Sequence, residues 1–162
     1  MIFTLLGPGD IIGEIALLDG EERSAIAVAV EETEVLTLHR RELIPFLEGH
    51  PHAAIGLVGV LAAMVRRLSE RAEDRQTMPL AGRIAKRLLA LAEKHGKRPI
   101  VGGPVEVRLP QQDLADLAGA TRKRVNRQLR AWSSEGIVEL GQGRVILKRP
   151  EALEAVVDVM EL

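Results

Sequence analysis

Apolar side chains recur at helical spacing in the segment around residue 125. Val125, Leu129 and Trp132 are separated by four and three residues, which places them on one face of a helix. A helix with this stripe can be anchored on a core while its other face stays in solvent. That other face carries Arg122, Lys123, Asn126, Arg127 and Arg130.

A second short helix is predicted just before it, over residues 111–118. Ala115 is small at the point where two helices must cross closely, and Gly119 suits the turn between them because a residue without a Cβ tolerates positive φ. Thr121 is the expected N-cap of the following helix, with its hydroxyl meeting free backbone N–H groups. The pattern is therefore that of two helices joined by a tight turn.

Two short apolar runs follow, and they predict a β-hairpin. Residues 137–140 and 144–147 flank the sequence Gly141-Gln142-Gly143, which suits a turn. An ordinary helical hairpin with a solvated basic face would show the same helices. The cations begin at the first turn of the second helix, and a hairpin follows, which favours a winged helix-turn-helix that binds the DNA major groove. The expected DNA contacts are Gln112, Thr121, Arg122, Lys123, Asn126, Arg127, Arg130 and Arg144.

A longer helix is predicted from about residue 52 to residue 76, opened by Pro51. Its apolar positions repeat at intervals of three and four, as in a coiled coil. A helix packed on its own domain would give the same repeat, but the last two turns are heavily charged outside it, which favours pairing with a second copy. The seam consists of Val58, Leu61, Val65, Leu68 and Ala72.

The remaining elements are shorter. We predict strands over 24–30 and 34–38, a helix over 40–47, a hinge at 77–79, a helix over 81–95 ended by Gly96, two strands within 100–109, and a helix over 150–160. Pro79 suits the first position of its helix, where no N–H donor is needed. Ile84, Leu88, Leu91 and Ala92 should face inward in that helix, and Arg83, Lys86, Arg87 and Lys94 outward.

Charge is distributed unevenly. The 162 residues have a net charge of −1, but residues 1–80 hold 7 basic and 13 acidic side chains, and residues 81–149 hold 15 and 6. A basic segment of this kind suits binding to phosphates. No cysteine is present, which excludes thiolate metal sites and fits the cytoplasm. The longest apolar run, over 53–65, is shorter than the roughly 20 residues that span a bilayer, and we expect no membrane partner.

A second chemical pattern lies near the N-terminus. Gly13 permits close backbone approach, the Glu14 carboxylate can accept from a sugar hydroxyl, and Arg23 with Ser24 suits a phosphate. A salt bridge between Glu14 and Arg23 would explain the same residues. The four histidines form no metal or triad spacing, and we expect no enzyme.

The order of these parts resembles the cyclic-AMP receptor and fumarate–nitrate regulator family. The resemblance rests on residues 7–17, residues 23–25, residues 82–85 and the helix-turn-helix. It implies an α+β fold with part of a cyclic-nucleotide-binding β-roll over 1–50, a dimerisation helix over 51–77 and a winged helix-turn-helix domain over 78–162. It also implies that Gly13, Glu14, Arg23 and Ser24 belong to a phosphate-binding cassette, with Arg122, Lys123 and Arg127 reading bases.

Some departures from the family qualify these expectations. The chain begins partway through the family's roll, as a fragment, a late start codon or a truncated member would. The family's adenine-contacting hydroxyl pair aligns near Arg71 and Ala72, which cannot supply two hydroxyls. The resemblance therefore implies cyclic AMP or a relative as a candidate effector but does not carry over the family's nucleotide specificity. Lys123 stands where the best-known members carry Glu, so the preferred base should differ at that position.

We therefore expect a homodimeric, effector-gated transcription regulator. Its partners would be double-stranded DNA with a pseudo-palindromic operator and RNA polymerase. The alternative is a ligand-binding or oligomerisation module whose DNA-binding domain is vestigial.

Overall fold

The computed structural model describes residues 4–97 and 103–159. It divides the chain into an N-terminal unit, residues 8–68, and a C-terminal unit, residues 69–162 together with residues 1–7. The described elements are α1 (Glu14–Asp19), α2 (Arg40–Gly49), α3 (Pro51–Thr77), α4 (Leu80–His95), β1 (Val105–Arg108), α5 (Gln111–Ala118), α6 (Arg122–Ser134), β2 (Val138–Gly141), β3 (Arg144–Leu147) and α7 (Pro150–Asp158). This mixture of helices and one small sheet confirms the α+β class.

The C-terminal unit contains a three-stranded antiparallel sheet in the order β1-β3-β2. Val105 pairs with Leu147, and Val107 pairs with Val145. These four side chains alternate with more exposed ones along their strands, so a single face of the sheet is buried. The predicted hairpin is confirmed, and so is the second strand within 100–109. The first strand of that pair was predicted to start at residue 100 and lies outside the described residues.

Helices cover the buried face of the sheet. Ile84 and Leu88 of α4, Leu129 of α6 and Leu153 of α7 have no exposed surface. Burying each of these side chains stabilises the fold by roughly 1.5–3 kcal/mol. Gly96 ends α4 as expected, though with an ordinary φ of −69°. Its lack of a side chain matters because a Cβ there would overlap Val105 and the backbone of α4.

The segment between α3 and α4 differs in two ways from its prediction. Pro79 is the N-cap of α4 and not its first residue. Met78 is buried, because the chain breaks its helix while still packed on the C-terminal unit. The predicted outward side chains of Arg83, Lys86 and Arg87 are partly buried, since each reaches back to this segment.

The N-terminal unit has little core. Leu43 is its one buried hydrophobic side chain among the residues described. A turn lies at Pro8 and Gly9. The helix α2 starts at Arg40, where the Glu42 carboxylate accepts from the backbone N–H of His39 at 3.1 Å.

The strands predicted over 24–30 and 34–38 are wrong for this structure. Residues 21–38 are irregular and exposed and make no backbone–backbone hydrogen bond in the part of the chain described. A strand requires a neighbouring strand to satisfy its N–H and C=O groups, and these segments have no such neighbour within the described ranges. The helix α1, which is not among the predicted elements, precedes them.

Candidate nucleic-acid interface

The turn between α5 and α6 has the geometry expected from its sequence. Gly119 is left-handed, with φ 63° and ψ 44°, and Ala115 is fully buried at the helix crossing. The backbone N–H of Ala120 donates to the carbonyl of Ala115 at 2.9 Å, which ends α5 in the manner of a Schellman motif. The two helices are thereby fixed against each other by backbone contacts.

Thr121 is the N-cap of α6, as predicted, but its hydroxyl makes no capping bond. The role of its side chain in the cap was therefore wrongly predicted. The first turn is closed instead by the backbone, with the N–H groups of Arg124 and Val125 donating to the Thr121 carbonyl at 3.0 and 3.1 Å. The exposed hydroxyl keeps its donor and acceptor positions for a ligand.

The predicted stripe anchors α6. Val125 and Leu129 are fully buried and Trp132 is 3% exposed. Asn126 is partly exposed, and the cations predicted to face solvent do so: Arg122, Lys123, Arg127 and Arg130. The helix thus has one face in the core and a cationic face in solvent.

Arg124 belongs to this face, although the sequence analysis did not single it out. It is exposed and lines a shallow groove together with Lys123, Asn126, Arg127 and Arg130. Its position one turn before Arg127, in the first turn of α6, was the signal available in the sequence. Arg124 also helps to lower the pKa of Arg83, after the larger effect of burial and ahead of Arg75.

The wing places Arg144 beside a carboxylate. Its Nη1 atom lies 3.2 Å from Glu106 Oε2, and Arg108 Nε lies 2.7 Å from Glu106 Oε1. The hydrogen bond from Arg108, together with the charges of Arg144 and Lys97, holds the pKa of Glu106 below its usual range. Arg144 is half-exposed, so it is available to solvent while paired within the sheet.

Gln112 also has a partner. Its amide nitrogen donates to Asp116 Oδ1 at 2.9 Å, one turn further along α5. The side chain remains exposed at the start of that helix, on a different element from the cations of α6. Its predicted contact with DNA stays a prediction.

The four cassette residues lie in the N-terminal unit. Gly13 is left-handed, with φ 84°, and is the N-cap of α1, which starts at Glu14. The guanidinium of Arg23 occupies the space that a Cβ at Gly13 would need. Ser24 is exposed. Gly13 and Arg23 are therefore brought together as the cassette requires, while Ser24 has no contact that assigns it a role.

The seam residues of α3 are open to solvent in the single chain. Val58 is 63% exposed, Val65 61% and Leu68 51%, Ala72 is exposed and Leu61 is partly exposed. By length and composition alone, α3 could cross a membrane, with a mean hydropathy of 1.3 in its most apolar window. However, its uncharged part, residues 51–65, is about 22 Å long, compared with the roughly 30 Å of hydrocarbon in a bilayer.

Comparison with protein families assigns both ends of the chain. Residues 82–156 match the family model described as a Crp-like helix-turn-helix domain. Residues 1–50 match that of the cyclic nucleotide-binding domain.

Similar proteins are regulators. The chain is 37% identical over 153 residues to the cyclic AMP receptor protein of Thermus thermophilus, and 30% identical over 154 residues to the CRP-like cAMP-activated global transcriptional regulator of Mycobacterium tuberculosis. Each alignment covers 94% of this chain and 68% of the relative.

Solved structures are similar too. A CRP/FNR-family transcriptional regulator from Thermus thermophilus has a TM-score of 0.63 at 23% identity, over 68% of this chain and 56% of that one, which shows the fold alone. A CRP-family regulator from the same organism has a TM-score of 0.58 at 30% identity, over 66% and 55%. The chain thus spans little more than half of these two structures.

Proposed function

This chain belongs to the CRP/FNR family of DNA-binding transcription regulators, and on that premise we propose that it acts as a homodimer whose binding to a pseudo-palindromic operator is gated by an effector. The observation that carries the proposal is the cationic face of α6, held outward by the buried stripe of Val125, Leu129 and Trp132. A helix fixed in this way can enter the major groove without rearrangement of its core.

Within that face, base-reading and phosphate-binding roles differ. Our candidates for contacts to base edges lie in the first two turns of α6: Arg122, Lys123 and Arg127. Lys123 would donate to guanine O6 or N7. Contacts to phosphates give affinity without sequence preference. We assign these to Gln112, Thr121, Arg124, Asn126, Arg130 and Arg144.

The exposed seam of α3 supports the dimer. An apolar stripe with Val58 and Val65 more than half exposed costs free energy in water, and a second copy of the same stripe would cover it. Two recognition helices related by a twofold axis would then read half-sites about one helical turn apart. Because the proposed ligand is DNA, we expect the protein to act in the cytoplasm. RNA polymerase is a further partner to test. We expect no enzymatic activity.

The effector proposal rests on Gly13 and Arg23. Gly13 is left-handed and lets a ligand approach the backbone closely, and the Arg23 guanidinium lies beside it. A guanidinium can bind a phosphate through two hydrogen bonds, so the pair suits a phosphate. The names of the relatives favour a cyclic nucleotide. Glu14 and Ser24 would complete the cassette by accepting from a sugar hydroxyl and donating to the phosphate.

Selection of bound duplexes from a randomised pool tests the DNA-binding role directly. We expect the full chain to enrich an inverted repeat, and Lys123→Glu to enrich a repeat that differs at one base in each half-site. Arg130→Ala is the matched control on the same helix: it should weaken every duplex similarly and leave the sequence unchanged. An unchanged repeat with Lys123→Glu would remove Lys123 from base reading.

A salt titration separates this proposal from a vestigial DNA-binding domain. A reader that neutralises several phosphates loses affinity steeply as salt rises, with a log–log slope of about −0.9 per phosphate. A shallow slope, combined with saturable binding of cyclic AMP that Arg23→Ala abolishes, would favour the ligand-binding module.

A further inference from the structure

Asp74, in the last turn but one of α3, is the one charged residue of the described chain whose side chain is buried, at 5% exposure. Its position is unfavourable for a carboxylate on two grounds. Burial removes water from the charge, and the C-terminal end of a helix dipole repels an anion. A carboxylate in this place requires cations close to it.

Two cations from α4 meet that requirement. Lys86 Nζ lies 2.8 Å from Asp74 Oδ1, and Arg87 Nη2 lies 3.1 Å from Asp74 Oδ2. Each carboxylate oxygen therefore has its own donor. The pairs cross the helix break at Met78 and Pro79, and they join the end of α3 to the middle of α4.

Arg83 ties the same break to the helix-turn-helix. Its Nη1 donates to the carbonyl of Met78 at 2.7 Å, and its Nε donates to the carbonyl of Ala118, the last residue of α5, at 3.0 Å. One guanidinium thus donates both to a carbonyl at the end of α5 and to the Met78 carbonyl at the helix break.

Arg75 adds a contact from α3 to the turn itself. Its Nε lies 2.7 Å from the position that a Cβ on Gly119 would take. The end of α3 therefore touches α4 through Asp74 and the turn before α6 through Arg75. The predicted hinge at residues 77–79 is held on both sides by polar contacts.

We infer that Asp74 is a positioning residue for operator recognition: by fixing the end of α3 on α4, it sets the direction of α6 and thereby the spacing of half-sites that a dimer accepts. The inference rests on the proposed dimeric function. Buried ion pairs add little net stability, but the loss of one partner leaves an uncompensated charge. Without the carboxylate, the pairs that join the end of α3 to α4 would be lost, and the contacts left at the break would be those of Arg83 and Arg75.

The test compares full-length variants on duplexes of different geometry. The probes are the inverted repeat recovered by selection, the same repeat with one or two base pairs added between the half-sites, and a duplex with a single half-site. Asp74→Asn keeps the shape and removes the charge, Asp74→Glu restores the charge, and Glu73→Gln makes the same charge change at an exposed neighbour.

We expect the unmodified chain, Asp74→Glu and Glu73→Gln to lose about tenfold in affinity when the spacing changes, equivalent to about 1.4 kcal/mol. Asp74→Asn should bind a single half-site within about twofold of the unmodified chain and should lose less than about threefold when the spacing changes.

Three results would overturn the inference. Asp74→Asn could keep the full spacing penalty. It could instead lose half-site affinity together with the thermal midpoint measured by Trp132 fluorescence, which would make Asp74 merely a stabilising residue. If the unmodified chain bound all spacings equally, both the proposed dimeric function and this role would fail, and that outcome would be visible before any variant is made.

Discussion

The two units of this chain use similar aliphatic side chains to very different effect. In the C-terminal unit, Ile84, Leu88 and Leu129 have no exposed surface, whereas Ile26 and Leu36 of the N-terminal unit are 91% and 99% exposed. The first set lies on the helices α4 and α6, in one core cluster. The second lies in an irregular segment without backbone partners among the described residues. Burial therefore follows from available partners and not from composition.

The two units also differ in how far their secondary structure can be predicted from a short stretch of sequence. A helix forms its hydrogen bonds within a few residues, so α6 can be recognised from its own sequence. A strand forms its hydrogen bonds with another strand, and an alternating pattern specifies only half of that pair. The C-terminal unit supplies both halves for β1 and β3, whereas residues 21–38 have one.

Removal of a core side chain should have the greatest effect on stability. Leu129→Ala should lower the free energy of unfolding of the C-terminal unit by about 2–5 kcal/mol, because it leaves a cavity under α6. Leu36→Ala, at an almost fully exposed site, should change it by less than about 0.5 kcal/mol. Denaturation followed by the single tryptophan, Trp132, measures both. Equal losses would show that Leu36 is buried in solution.

A smaller effect is expected at the left-handed glycines. Gly119→Ala should destabilise the C-terminal unit by about 1–2 kcal/mol through its positive φ, and it should also displace Arg75. Gly9 has a similar φ of 83° with nothing within 4 Å of a Cβ. Because Gly9 lies in the N-terminal unit and Trp132 reports on the C-terminal unit, Gly9→Ala should leave the Trp132 transition within about 0.5 kcal/mol of the unmodified chain. A larger shift with Gly9→Ala than with Gly119→Ala would contradict this ordering.

Removal of one carboxylate from each unit tests how the position of a negative charge affects DNA binding. Glu106→Gln should raise the affinity for DNA at low salt by about two- to fivefold, because it removes a negative charge that lies beside Arg108 and Arg144 and repels phosphates. Glu34→Gln makes the same change in net charge at an exposed site of the N-terminal unit. It should have a smaller effect in the same filter-binding or anisotropy titration, and equal gains would point to net charge alone.

A small effect is expected on the loss of stability at low pH. The hydrogen bond from Lys148 holds the pKa of Glu139 below its usual value. Since the pKa is lower in the folded chain, the stabilisation is complete above the unfolded value and is lost as the pH falls through the folded one. The unfolding free energy of the C-terminal unit should thus drop less steeply with acid in Glu139→Gln than in the unmodified chain. Unfolding free energies, measured by Trp132 fluorescence, that fall equally steeply with acid in both proteins would contradict this prediction.

The elements whose contacts are local can be predicted from the sequence. The stripe of Val125, Leu129 and Trp132, the left-handed Gly119 and the span of α3 all follow from spacing along one helix or turn. The assignment of both ends to their family is confirmed by the matched models. The roles of individual DNA-binding and cassette residues stay predictions.

What the sequence did not reveal depends on distant contacts. Asp74 meets Lys86 and Arg87 across a helix break, 12 and 13 positions away, so a charge-rich helix end gave no indication that one of its carboxylates is buried. Arg144 looked like a free cation of the wing, but Glu106 lies 38 positions earlier in the chain. Such pairings are set by the sheet register and the helix packing.

The exposed seam of α3 has a consequence for the cell as well as for the molecule. When two copies must meet before either can hold an operator, the amount of active regulator depends on its abundance more steeply than in proportion. Well below the dissociation constant of the dimer, halving the number of chains leaves about one quarter of the dimers. The regulated genes would then respond to the rate at which this protein is synthesised and degraded, in addition to any small molecule that it binds.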